Sequence, residues 1–339
     1  MNRREIVIDA LNHKSTRPIP YAVDLTHQAR ERLIAYMGNA SVADNLGSFM
    51  RGVSGSGDFE DVPGKPGYVK DIFGVVWNRN GADKDIGVID GFVIKDPENI
   101  TYQFPIADIA EFRRRLQKLV ASDTDEFKFA NFGFSMFERA WTLMGMENVL
   151  TYMITCPESL EAFFDKICEF WIPLVDIALE YNIDGVMFGD DWGQQHGTIM
   201  GPEYWRRFIK PRMARLYQKV KAKGKYVLQH SCGDCRELFP DLIEIGLDCY
   251  QTFQPEIYDI KKIKETYGKD LSFWGAISTQ QCLPKMDAKQ VQQEIVRIAR
   301  ILSVNGGYIL APTHSIPGDV KPENILAMLE VFQNQEKFI

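Results

Sequence analysis

The sequence predicts an α/β protein, a single (β/α)8 barrel with an irregular N-terminal excursion running through residues 1–339 as one domain. Three observations carry that expectation. Short apolar runs alternate with longer amphipathic segments, a pattern that places parallel strands between covering helices. Polar residues gather at the C-terminal ends of those runs, where barrels of this kind keep their chemistry. No glycine fingerprint follows the first run: "YAVDLTHQARERL" lacks the G-x-G-x-x-G of a dinucleotide-binding open sheet.

Taken in order, the strand candidates are "RPIPYAVD", "FKFANFG", "DGVMFGDDWG", "KYVLQHSCG", "LDCYQTFQ", "LSFWGAI" and "GGYILAPTH". Stretches of helical periodicity such as "DCRELFPDLIEIG" and "PKMDAKQVQQEIVRIARILSVN" follow the later ones. An eighth strand is sought in residues 70–100, although "GVVWNRNGADKDIGVIDGFVI" reads more as an antiparallel excursion. No fixed-period repeat and no linker rich in Ser, Gly or Pro divides the chain.

Composition narrows the function classes. Of 339 residues 45% are hydrophobic and 25% charged, and the formal net charge is −7. An acidic chain lacks the basic stripe that phosphate backbones require, so no nucleic acid is expected as a partner. The basic stretch "PEYWRRFIKPRMARLYQKVKAKGK" is interrupted at helical spacing and reads as a solvated helix face. No run approaches the roughly 18 apolar residues of a membrane span, and "MNRREIVIDALNHKSTRP" lacks a secretory h-region. The expectation is a cytoplasmic protein with its six cysteines reduced or ligating metal.

The stretch "VLQHSCGDC" raises the metal question directly. Side chains two apart on a strand share a face, so His230 and Cys232 both aim into the mouth of the barrel. Imidazole and thiolate form a zinc-type set, and a catalytic zinc needs three protein ligands with one position open. His314 in "ILAPTHSIPGD" is the candidate third ligand because it follows the last strand; a loop histidine held by a hydrogen bond would look the same. Of the pair Asp190 and Asp191 only one can face inward, and Asp191 is taken either to ligate or to hold a ligand histidine. Cys235 falls in the first turn of the next helix.

The blocks "ALNHKSTRPIP", "DIFGVVW", "FGFSMFERAWTLMGMENVL", "DGVMFGDDWG", "LQHSCGD", "FWGAISTQQCLP" and "GGYILAPTHSIPGDVKPENILAM" together resemble the uroporphyrinogen decarboxylase superfamily over nearly the whole chain. The resemblance implies a TIM barrel. Decarboxylases of the superfamily carry an arginine-rich block after the first strand, where this chain has "VDLTHQARERL". The His-x-Cys after the fifth strand is similar instead to the branch of zinc methyltransferases that exchange methyl groups with a corrinoid protein. In that branch the third ligand is usually cysteine; here His314 stands in its place.

The resemblance therefore implies Zn2+ held by His230, Cys232 and His314, cobalamin carried by a partner corrinoid protein, and methyl transfer from a small-molecule donor such as a methoxylated aromatic (O-demethylation). Asp191 and Glu138 are the expected proton-transfer residues, and Asn131, Phe132, Trp192, Gln251 and Phe253, with Phe134, are expected to line the donor site. Two other readings stay open at this point: a metal-free decarboxylase, and a corrinoid- or tetrapyrrole-binding protein without catalysis.

Overall fold

The computed structural model describes residues 1–55, 57–81, 84–96 and 100–339. Its strands in chain order are β1 (Met50–Ser54), β2 (Glu60–Asp61), β3 (Tyr68–Lys70), β4 (Val76–Asn78), β5 (Val88–Ile89), β6 (Phe127–Phe132) and β7 (Gly185–Gly189). They continue with β8 (Gly193–Gln194), β9 (Gly197–Thr198), β10 (Tyr226–His230), β11 (Cys249–Thr252), β12 (Ser272–Ile277) and β13 (Tyr308–Pro312). Seven of them form one parallel sheet in the order β1-β6-β7-β10-β11-β12-β13. Each strand of this sheet pairs with the one that follows it in the sheet along the chain, because each crossover returns the chain beside the strand it left.

Every residue of β7, β11, β12 and β13 is buried. That is why these strands read as unbroken apolar runs: helices cover one face and the barrel interior the other. The covering helices have local start signals. Asn2 and Glu5 form a capping box for the helix Arg3–Leu11, and Asp287 and Gln290 do so for Ala288–Leu302.

Two expectations need correction. "RPIPYAVD" is not a regular strand: Pro18 and Pro20 lack the amide donors a central strand needs. Its residues 20–22 nevertheless span the space between β13 and β1. Ala22 donates to the Leu310 carbonyl (3.1 Å), Leu310 to Pro20 (2.9 Å), and Phe49 to Tyr21 (2.8 Å). The first regular strand is β1, pairing in register with β6 from Met50↔Phe127 to Ser54↔Asn131.

The stretch 70–100 supplies no barrel strand among the described residues, and its residues 82, 83 and 97–99 lie outside them. It contributes instead to the four-stranded antiparallel sheet β2-β3-β4-β5. The buried ion pair of Arg139 with Asp71, 2.9 Å apart, ties that excursion to the helix Phe137–Met144. No described helix is long and apolar enough to cross a membrane.

Candidate functional site

Register brings the site together. His230 on β10 sits level with Gly189 of β7 and Gln251 of β11, and Gln251 with Trp274 of β12. Gln251 bonds the His230 ring through its Oε1 and Nδ1, and donates to the Thr313 carbonyl at 3.4 Å. With Nδ1 engaged, Nε2 turns to the Cys232 thiol, 3.6 Å from Sγ, and to Asp191, 3.5 Å from Oδ1. The His314 ring lies 5.5 Å from that of His230, centroid to centroid. One ligand atom each of His230, Cys232 and His314 falls within 4.8 Å of the others. A single cation can be reached by all three.

The Cys232 loop is fixed from behind. Asp191 accepts the Cys232 N–H at 2.7 Å, and Gln254 accepts that of Gly233 at 2.8 Å. Gly193 donates to the Cys232 carbonyl at 3.2 Å and Asp234 to the Gln194 carbonyl at 2.7 Å. The two backbones press so closely that a Cβ on Gly233, whose φ is +79°, would lie 2.1 Å from the carbonyl carbon of Gly193. Only glycine fits there.

The acidic pair divides its labour. Asp190 is fully buried and accepts the N–H groups of Met136 (3.1 Å), Phe137 (2.9 Å) and Glu138 (2.8 Å), together with the Trp192 indole N–H. It thus serves the N-terminus of the helix Phe137–Met144, and burial raises its pKa to about 6. Asp191 is the one beside the histidine. Glu138 is held well above the usual carboxylate range by burial and then by the charges of Asp191 and Asp190. Burial, with Asp191 adding to it, likewise pushes the Cys232 thiol up, and desolvation with neighbouring His230 lowers His314. Cys235 stands apart, fully buried with its thiol 3.4 Å from the Ser231 hydroxyl.

A cavity of about 520 Å³ opens onto this cluster, and among its walls are His230, His314, Asn131 and Gln251. The expected aromatic lining is corrected. Phe132, Trp192 and Phe253 are fully buried and border no part of the cavity. Phe132 packs against Phe112, Trp171 and Phe188 beneath the helices. Trp192 stacks edge-on to Trp205, and Phe253 lies 4.3 Å from the ring of Phe273. Phe134 packs on Trp77.

The aromatic walls are instead Phe129 and Trp274, in edge-to-face contact at 6.1 Å, with Met50 and Met187. Strand alternation could have found Phe129: it shares a face with Asn131, whereas Phe132 cannot. Arg51 on β1, also at the cavity, was hidden with the strand that carries it.

Residues 93–335 match the family described as uroporphyrinogen decarboxylase (URO-D). The chain belongs to that family. Within it, the chain is similar to a methylated-thiol–coenzyme M methyltransferase of Methanosarcina mazei, 24% identical over 155 residues that make up 46% of this chain and 40% of that relative. The match thus spans under half the relative's length. A solved methyltransferase from Methanosarcina mazei superposes with a TM-score of 0.74 over 99% of both chains at 17% identity, which shows the shared barrel-like fold.

Proposed function

We propose that this URO-D-family chain is a zinc-dependent methyltransferase, moving a methyl group from a small donor to the cobalamin of a separate corrinoid protein. The observation that carries the reading is the convergence of His230, Cys232 and His314 beside a cavity walled by Phe129 and Trp274. The donor set fits zinc: two imidazoles and a thiol are adequate ligands, and a thiol pushed up by burial is one a bound cation would deprotonate. When bound, zinc supplies Lewis acidity for charge developing on the leaving oxygen of an ether or the sulfur of a thioether.

The protein's own groups do the rest. Gln251 orients His230 and Asp191 anchors the Cys232 loop. We assign proton transfer to the leaving group to Asp191 and Glu138, a reading supported by the closeness of Asp191 to His230 and by the burial that holds Glu138 above the usual carboxylate range. Asn131 supplies a polar contact in the cavity, and the aromatic pair suits a methoxylated aromatic donor. The relative's name makes a methylated thiol the second donor class to try.

The test is anaerobic incubation of the zinc-loaded protein with cob(I)alamin and either a methoxybenzoate or dimethyl sulfide, followed by visible absorbance. Formation of methylcobalamin with either donor supports the reading. Its absence with both, in the presence of a corrinoid protein as well, rejects it. A metal-free decarboxylase is the second reading; Arg51 borders the cavity, although its guanidinium is paired with Glu126 at 3.3 Å. Carbon dioxide release undiminished by zinc removal would favour that second reading.

A further inference from the structure

A second cavity, of about 750 Å³, lies at the opposite ends of the strands, where Gly306 and Gly307 lead into β13. It is bordered by Lys261, Lys264, Lys269, Arg300 and His13, with Glu265 as its one carboxylate. That is a concentration of positive charge in a chain whose net charge is −7. The helices Ile260–Tyr267 and Ala288–Leu302 end here, and helix C-termini favour a cation or two. They do not account for what is buried behind the rim.

Lys264 is only 9% exposed. Among the described residues it makes no ion pair; its ammonium donates to the Gly306 carbonyl at 2.5 Å, with the Gly307 carbonyl at 3.5 Å. Burial alone lowers its pKa to about 8. Next to it, His13 is held in the left-handed region at φ 57°, and its Nδ1 is buried with no hydrogen-bond partner. On the rim, Lys261 and Lys269 reach carboxylates only at 3.9 Å, and the Arg300 guanidinium meets only the Phe338 carbonyl, at 3.3 Å. The buried Lys264 ammonium thus has no carboxylate partner among the described residues and the His13 Nδ1 no hydrogen-bond partner, beside an open volume rimmed by three further cations whose carboxylate contacts are long or absent.

We infer that this cleft is a binding site for a compact polyanion of the phosphate class, with His13 and Lys264 at its floor and Lys261, Lys269 and Arg300 at its rim. Its volume exceeds that of one phosphate, and the number of cations suits a ligand with two or more anionic groups. Because it lies away from the metal cluster, such a ligand acts as an effector or tether rather than as the methyl donor, and the inference stands independently of the methyl-transfer reading.

The experiment titrates the full chain with pyrophosphate and with orthophosphate by calorimetry at about 50 mM salt, where exposed charges are not fully screened. Histidine ring resonances are followed in parallel. Pyrophosphate should bind more tightly than orthophosphate, and it should move the His13 resonance while leaving that of His314 in place. The double variant Lys269→Gln/Arg300→Gln, which changes two rim side chains and spares the buried floor, should weaken binding about tenfold or more. Lys219→Gln, whose lysine pairs with Asp176 on the outer helices, should leave it unchanged. No binding up to about 10 mM, undiminished binding in the double variant, or a shift of His314 without His13 would overturn the inference.

Discussion

His230 has its ring fixed before any ligand arrives, since Gln251 holds Nδ1 and leaves Nε2 facing Cys232 and Asp191. A partner that sets the tautomer of a ligating histidine is typically worth 10- to 100-fold in metal affinity. Gln251→Leu should therefore weaken zinc binding by about 10- to 100-fold in competition with a chromogenic chelator, with unaltered affinity counting against an orienting role. His314 allows a sharper comparison. His314→Cys should preserve zinc binding, because thiolate is as good a ligand, while His314→Ala should weaken it by about 10- to 100-fold or more. Intact zinc affinity in the alanine variant with turnover abolished would make His314 a substrate contact. At this scale the sequence was informative where a strand's two-residue period applied, as for His230 with Cys232. It misled where the chain left that period: Phe253 follows the end of β11 and adopts φ 47°, which turns its ring from the cavity into the core. Gln251, expected to touch substrate, borders the cavity and also holds His230, a partnership that depends on cross-strand register and cannot be read from one strand.

The antiparallel excursion is attached by a buried charge. Arg139 and Asp71 are almost wholly enclosed, and the guanidinium also lies 3.7 Å from the centroid of the Phe73 ring. Removing one member strands the other, a loss of about 3–5 kcal/mol. Arg139→Met and Asp71→Leu should each lower stability by about that much in urea unfolding, and the double variant should cost clearly less than their sum. Strict additivity would mean the two side chains are not coupled. Because Arg139 follows Glu138 on the same helix, the pair also steadies the wall beside Asp190 and Asp191. The excursion's antiparallel character was legible from its broken polar pattern. The strand β1 was not, because Arg51 and Gly52 interrupt its apolar signal; Gly52 is small because the Phe129 ring occupies the space a side chain would need.

At the scale of the whole chain, parallel alternation sends the ends of β7 and β10 and the segment after β13 to one side, so that residues far apart in sequence meet there. That much was legible because strand order in such a sheet follows chain order. Closure was not, since it depends on the hydrogen bonds of residues 20–22, a segment whose prolines preclude a regular strand. The sequence contains no DxHxxG-type corrinoid-binding block. The purified chain is therefore expected to show no corrinoid absorption, cobalamin arriving only with a partner; stoichiometric corrinoid on this polypeptide alone would contradict a separate carrier. The most direct measurement is the zinc content of the purified protein beside that of Cys232→Ala, by plasma mass spectrometry. If His230, Cys232 and His314 hold the metal, the unaltered chain carries about one zinc and the variant loses most of it. A chain that stays zinc-free in zinc-replete medium, or a Cys232→Ala variant that keeps its full complement, would contradict the metal centre on which the proposed chemistry rests.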